Sequence, residues 1–189
     1  MRERIREIIL ESIEVKEELL KSQVSHILEM AEAIITALKK GGKLIVFGNG
    51  GSASDAQHIA AELVGRFKKN RAALASIALT TNTSIITALA NDFGYDIVFS
   101  RQIEALADKN DIVLGISTSG KAKNVTLAIK QAKKMGIKTL GLTGGDGGEL
   151  AKVADLSLVV PSSITARIQE AHITIGHILC ELVEEASLT

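Results

Sequence analysis

Residues 43–62 read KLIVFGNGGSASDAQHIAAE. Leu44 to Phe47 form an apolar run with no polar alternation, the pattern of a strand covered on both faces. Gly48, Gly50 and Gly51 then open a turn in which positive φ and close approach to the backbone are permitted. From Ser52 to about Phe67 the pattern is helical. Outward from this strand–turn–helix the same unit recurs. SIALTT (76–81) precedes helical stretches over 84–90 and about 95–107, and DIVLGIS (111–117) precedes one over 121–135. TLGLTG (139–144) is followed by a short helix near Leu150, and LSLVV (156–160) by a helix over 165–185. Apolar strands alternating with helices predict an α/β fold, a parallel sheet sandwiched between helices.

On the N-terminal side, residues 2–40 are helical in pattern, with Leu20, Val24, Ile27, Ala31, Ile34 and Leu38 at alternating spacings of four and three. Unbroken, that helix would be about 57 Å long at 1.5 Å per residue, more than this chain's own surface covers. It therefore breaks near Ser22, or part of its apolar face packs on another subunit. Residues 1–40 are accordingly read as an N-terminal helical oligomerisation segment of a single domain spanning 1–189.

Composition narrows the partners. The chain has 189 residues, of which 46% are hydrophobic but only 3% aromatic, so its core is built from Ile, Leu, Val and Ala. Lys plus Arg equals Asp plus Glu, 22 against 22, and no basic stripe with interleaved aromatics occurs, so nucleic acid is not the expected partner. No stretch approaches the roughly 20 apolar residues of a membrane span, and MRERIREIIL lacks the uninterrupted apolar core of a signal peptide. The lone Cys180 reads as a buried core thiol. A cytoplasmic protein acting on a small polar metabolite fits these features.

In a parallel sheet of this kind ligands bind beyond the carboxyl ends of the strands. Here those ends are GNGGSAS, TTNTS, STSGK and TGGDGG, all rich in Gly, Ser, Thr or Asn. Ser117, Thr118 and Ser119 at a strand-to-helix turn, matched by Ser52 and Ser54 in the first turn, exceed what one helix cap requires and suit a phosphate group. Neither the GxxxxGK[ST] pattern nor GxGxxG with its acidic partner is present, which disfavours a nucleoside triphosphate or a dinucleotide. His58 and Glu62, four residues apart, project from one face of the first helix. The last helix carries Gln169, His172 and His177. A histidine, a glutamate and a distant second histidine suit a zinc site completed by an amide oxygen or water, or equally proton transfer next to a carbonyl.

At these residues the chain resembles the sugar isomerase (SIS) domain family, and within it the phosphoheptose isomerases. The resemblance runs through GNGGSASDAQHIAAEL, the following RF, ANDFGYDIVFSRQ, DIVLGISTSG, LTGGDGG and ARIQEAHITIGHILCELVE, in that order. It implies a three-layer αβα, flavodoxin-like sandwich with a five-stranded parallel sheet, preceded by N-terminal helices. The implied assembly is a homotetramer with active sites at subunit interfaces and one zinc per subunit. The implied activity is isomerisation of sedoheptulose 7-phosphate to an aldoheptose 7-phosphate through an enediol, early in heptose synthesis for bacterial surface glycans. By the same resemblance Asn49, Gly50, Gly51, Asn91 and Asp92 contact the sugar, and Ser52 and Ser117–Ser119 hold its phosphate. His58, Glu62, Gln169 and His177 are the implied metal ligands, Glu62 and Gln169 also touching substrate, with Glu62 and His177 the acid/base pair.

The chain departs from the family pattern at Ala122, where a further phosphate-binding serine is common, and at Ala166, where some members carry aspartate; Lys121 or Lys123 would compensate for the first. The rival reading is a non-catalytic SIS-domain tetramer that binds a replication-initiator protein. Retention of His58, Glu62 and His177 together speaks against it.

Overall fold

The structure, a computed structural model, describes residues 1–188. The N-terminal region forms two helices, α1 (Arg2–Ser22) and α2 (Val24–Lys39), interrupted at Gln23 with φ −119° and ψ −1°. Next to the break the Ser22 hydroxyl donates to Glu18 O at 2.8 Å, a side-chain bond that competes with continuation of the helix. The interruption divides the expected seam. Ile27, Ala31 and Ile34 of α2 are buried and Leu38 is half-buried, but Leu20 and Val24 are exposed, and Leu19 is the buried residue of α1. Ile5, Ile8, Ile9, Leu10 and Ile13 of α1 stand on the surface of the single chain.

Five strands follow: β1 (Leu44–Gly48), β2 (Ser76–Ala78), β3 (Ile112–Ile116), β4 (Lys138–Gly144) and β5 (Leu156–Val160). They form one sheet in the order β2-β1-β3-β4-β5, every neighbouring pair parallel. Between them lie α3 (Gly51–Val64), α4 (Thr83–Phe93), a 3-10 turn (Tyr95–Ile97), α5 (Ser100–Leu106), α6 (Lys123–Lys134) and α7 (Gly148–Val153), and the last strand is followed by α8 (Thr165–Ala186). All residues of β1 and β3 are buried, as their unalternating sequences require. Successive side chains of a strand go to opposite faces. Leu44 and Val46 join α2, α3 and α8 in one core layer, while Ile45 and Phe47 join α5, α6 and α7 in the other. Phe47 stacks on Phe99 at 5.2 Å between centroids. Burial of such a side chain stabilises by about 1.5–3 kcal/mol.

Several element boundaries differ from those read in the sequence. The stretch 95–107 is a 3-10 turn and a separate α5 rather than one helix, and α4 continues to Phe93. Asn82 caps α4, its side chain accepting from Ile85 N. Lys121 and Ala122 belong to the turn before α6, which begins at Lys123. SIALTT contributes only three residues of strand, at the edge of the sheet.

From β1 the chain crosses to β2 on one side and later returns to β3 on the other. This is the topological switch point, and a crevice opens beyond the carboxyl ends of β1 and β3. Gly48 and Ile116 pair there, bringing the 48–51 and 117–120 turns side by side.

Candidate active site

The first turn is built around Gly50, whose φ is +56°; Gly48 and Gly51 do not share the positive φ that the sequence suggested. Gly48 is constrained by space instead, because a Cβ there would lie 2.6 Å from Ser52 Cβ. The Asn49 side chain is held by the protein. It exchanges hydrogen bonds with Asn124 in both directions at 2.9 Å, and its Oδ1 also accepts from the Tyr95 hydroxyl at 3.1 Å. These bonds occupy Oδ1 and one of the two Nδ2 hydrogens, so a sugar contact by Asn49 would use the other Nδ2 hydrogen or the backbone. Sequence reasoning missed Asn124 and Tyr95, which come from elements far along the chain.

The hydroxyl-bearing turn 117–120 lies alongside. Ser117 is buried, Thr118 half-buried and Ser119 exposed, and Ser119 Oγ accepts from Lys121 N at 3.2 Å. Ser52 is buried in the first turn of α3. The two lysines that could offset the alanine at 122 are engaged in exposed ion pairs, Lys121 with Asp146 at 3.1 Å and Lys123 with Asp96. Exposed pairs contribute little, so either lysine remains available to an anion. Asn91 and Asp92 sit on the last turn of α4, exposed, with Asn91 Nδ2 donating to Asp92 Oδ1 at 2.8 Å. Within this chain they are joined to each other rather than to the first turn.

His58 and Glu62 on α3 meet His177 on α8. His58 Nε2 lies 3.0 Å from His177 Nε2 and 3.3 Å from Glu62 Oε1. The Phe67 ring rests against His177, 5.6 Å between centroids. Phe67 is fixed by Glu184, a buried carboxylate near the end of α8 that accepts from the backbone N–H groups of Phe67, Lys68 and Lys69 at 2.8–2.9 Å. Arg71, whose side chain is buried, places its Nε 3.3 Å from Glu184 and donates to the carbonyls of Glu62 and Leu63 at the end of α3. Burial works to raise the Glu184 pKa, but the three N–H donors and Arg71 outweigh it and hold the carboxyl below its usual range. This brace was not foreseen. The legible signal was a charged residue on the same face of α8 as Cys180 and Val183.

Of the other residues expected here, Gln169 is hydrogen-bonded to Asp55 of α3. Its Nε2 donates to Asp55 Oδ1 at 2.6 Å. Burial pushes Asp55 up to about 6, against the lowering pulls of the Gln169 hydrogen bond and of His58. His172 is fully buried in the core, its Nε2 bonded to Thr143 O at 3.1 Å and its pKa pushed down to about 4 by burial, so it is a neutral packing residue. Burial raises Cys180 to about 12, which excludes a thiolate nucleophile near neutral pH.

Among the described residues no three His, Cys, Asp or Glu side chains are arranged around a common centre as a ready metal site. Instead His58 lies against both Glu62 and His177. Their chemistry nonetheless fits zinc: two neutral imidazole nitrogens and a carboxylate are its usual ligands, and bonds of 2.0–2.1 Å in tetrahedral geometry put donors about 3.3 Å apart. The observed 3.0 and 3.3 Å are within a few tenths of an ångström of that spacing. His58 is about half exposed and the Glu62 side chain 22%, so on the single chain the cluster faces outward.

Comparison with known proteins identifies the family of the chain and of its fold. The family model described as SIS domain matches residues 9–144. The phosphoheptose isomerase of Aquifex aeolicus is 54% identical over 185 residues, covering 98% of this chain and 97% of that protein. Among solved structures, phosphoheptose isomerase GmhA from Neisseria gonorrhoeae superimposes with a TM-score of 0.93 at 43% identity, covering 97% of this chain and 98% of that one. A phosphoheptose isomerase from Francisella tularensis does so with a TM-score of 0.94 at 37% identity, covering 97% of each.

Proposed function

Because the chain belongs to the SIS domain family, and within it to the phosphoheptose isomerases, we propose that it converts D-sedoheptulose 7-phosphate to D-glycero-D-manno-heptose 7-phosphate, the first step of heptose supply for surface glycans. The observation that carries the reading is the meeting of Glu62, His58 and His177 beside the hydroxyl-rich turns at the switch point of the sheet.

Aldose–ketose isomerisation moves a proton between C1 and C2 and another between their oxygens. Glu62 is the carboxylate that takes the carbon-bound proton from one carbon and returns it to the other. His177, its ring backed by Phe67, exchanges the oxygen-bound proton, imidazole being the side chain that titrates near neutral pH. The substrate phosphate is held by Ser52 in the first turn of α3, where a helix N-terminus favours an anion, and by the 117–119 hydroxyls in the turn between β3 and α6. Asn49, Gly50, Gly51, Asn91, Asp92 and Gln169 complete the sugar contacts. Zinc, when bound, would be held by His58, Glu62 and His177 with Gln169 as the fourth ligand, and would supply Lewis acidity toward the sugar oxygens.

The outward-facing cluster and the exposed apolar side of α1 support assembly as a homotetramer, with residues 1–40 as the joining segment and active sites between subunits. Among the described residues no helix is long and apolar enough to cross a membrane; with the charge balance, this supports a cytoplasmic enzyme. Binding of a replication-initiator protein gains no support from the comparisons.

The test is production of the aldoheptose 7-phosphate from sedoheptulose 7-phosphate, followed by NMR before and after chelation and return of zinc. Turnover lost on chelation and restored by zinc supports both the isomerase and the metal. No turnover under any metal overturns the proposal.

A further inference from the structure

Asp55 is an unusual residue to find where it is. It is 3% exposed on the inner side of α3, one turn before His58, and among the described residues its side chain has one hydrogen bond, the 2.6 Å contact from Gln169 Nε2. Its second oxygen, Oδ2, is buried with no hydrogen-bond partner. A carboxylate in such a position is costly, and among the described residues no second hydrogen bond offsets that cost.

What the contact does fix is chemical direction. A primary amide has an oxygen at one end and an NH2 at the other, similar in shape and opposite in polarity. An ionised carboxylate only accepts, so it binds the NH2 end and leaves the carbonyl oxygen as the end offered to anything else. Gln169 Cγ and Cδ lie against Gly51, 3.2 and 3.6 Å from where a Cβ would stand, so the first turn confines the side chain from the other direction.

We propose that Asp55 is a positioning residue that holds the Gln169 amide with its oxygen presented to the metal and sugar side of the site. The inference rests on the proposed role of Gln169 as a ligand and adds what makes an amide, otherwise two-faced, a dependable oxygen donor. Hydrogen-bonded partners of ligand side chains act in this way at metal sites generally.

Substitution at 169 separates orientation from a merely structural role. Glutamate has an oxygen at both ends, so it needs no orienting partner. Wild type, Asp55→Ala, Gln169→Glu and the double variant D55A/Q169E form a cycle, read by zinc affinity in competition with a chromophoric chelator and by kcat and KM for the sugar phosphate. Thermal unfolding of each variant confirms that it folds. Removing Asp55 is expected to lower zinc affinity about 10–100-fold when residue 169 is glutamine. With glutamate at 169 the same removal is expected to cost nothing or to raise affinity, since two carboxylates no longer face each other. Equal losses in both backgrounds, or no loss in either, overturn the proposal. If the wild type takes up no zinc, the ligand reading of Gln169 falls. The cycle in kcat and KM then decides separately whether Asp55 orients the amide toward the sugar: the same background dependence upholds it, and additivity overturns it.

Discussion

Gly176→Ala tests whether close approach of α3 and α8 assembles the cluster. Gly176 is buried immediately before His177, and Ile59, 1% exposed, immediately follows His58. A Cβ on residue 176 would lie 2.9 Å from Ile59 Cδ1 and 3.0 Å from its Cγ1. Carbon atoms pack at about 3.5–4.0 Å, so the shortfall is roughly 0.5–1.1 Å, and the walled-in Ile59 side chain has little room to rotate away. Overpacking of this kind costs about 1–3 kcal/mol. The gain from Ala over Gly inside a helix offsets about 1 kcal/mol, leaving a net loss of about 0–2 kcal/mol, measurable by urea unfolding. The effect on function is larger, because the helices part between the residues that adjoin His58 and His177, now 3.0 Å apart. A misplacement near 1 Å costs about 100-fold in rate, so kcat should fall about 10–100-fold in a folded protein. Ile59→Val removes the nearest atom, and in the double variant part of the activity should return. Wild-type kcat in Gly176→Ala together with raised stability, or strictly additive effects in the double variant, would refute the reasoning.

Glu62→Gln and His177→Ala should each abolish turnover, with unfolding midpoints close to wild type; residual turnover within tenfold of wild type in either would remove that residue from the acid/base pair. His172 has its pKa lowered to about 4 from 6.5, so the unfolded chain binds its proton more readily. The stabilising contribution is complete above about pH 6.5 and lost as pH falls toward 4, up to about 3 kcal/mol. Urea unfolding from pH 7 to 4.5 should show a slope shallower in His172→Gln than in wild type by up to about 1.4 kcal/mol per pH unit, and identical slopes would contradict the buried neutral imidazole. Glu184→Gln removes the carboxylate shared by three backbone N–H groups and Arg71. The 66–71 segment should then become the first site of limited proteolysis, with kcat reduced through Phe67, and an unchanged digestion pattern would argue against the brace.

The order of elements was legible because buried parallel strands are written as unbroken apolar runs. KLIVF, DIVLGIS, TLGLTG and LSLVV each lie on a strand, and the turns after them carry the polar residues. Helix ends were less so. Whether 95–107 is one helix depends on Gly94, with φ +90°, and on how Val98 and Phe99 bury against the sheet rather than on periodicity. The first helix showed the same limit: the break near Ser22 could be inferred from length, but which apolar residues it leaves exposed depended on the turn at Gln23.

For the site, sequence alone determined which side chains have suitable chemistry and that His58 and Glu62 share a helix face, since a spacing of four is local geometry. It also placed the hydroxyl-rich turns at one edge of the sheet, because strand direction in a parallel α/β fold dictates where they emerge. Only the tertiary structure decided that His177, 119 residues after His58, reaches it, that His172 is a core residue although only five positions away, and that Gln169 lies on Asp55. Those outcomes depend on the angle and depth at which α8 crosses α3. Packing at Gly176 and Ile59 sets that crossing, and such a contact between distant segments leaves no periodic trace in either one.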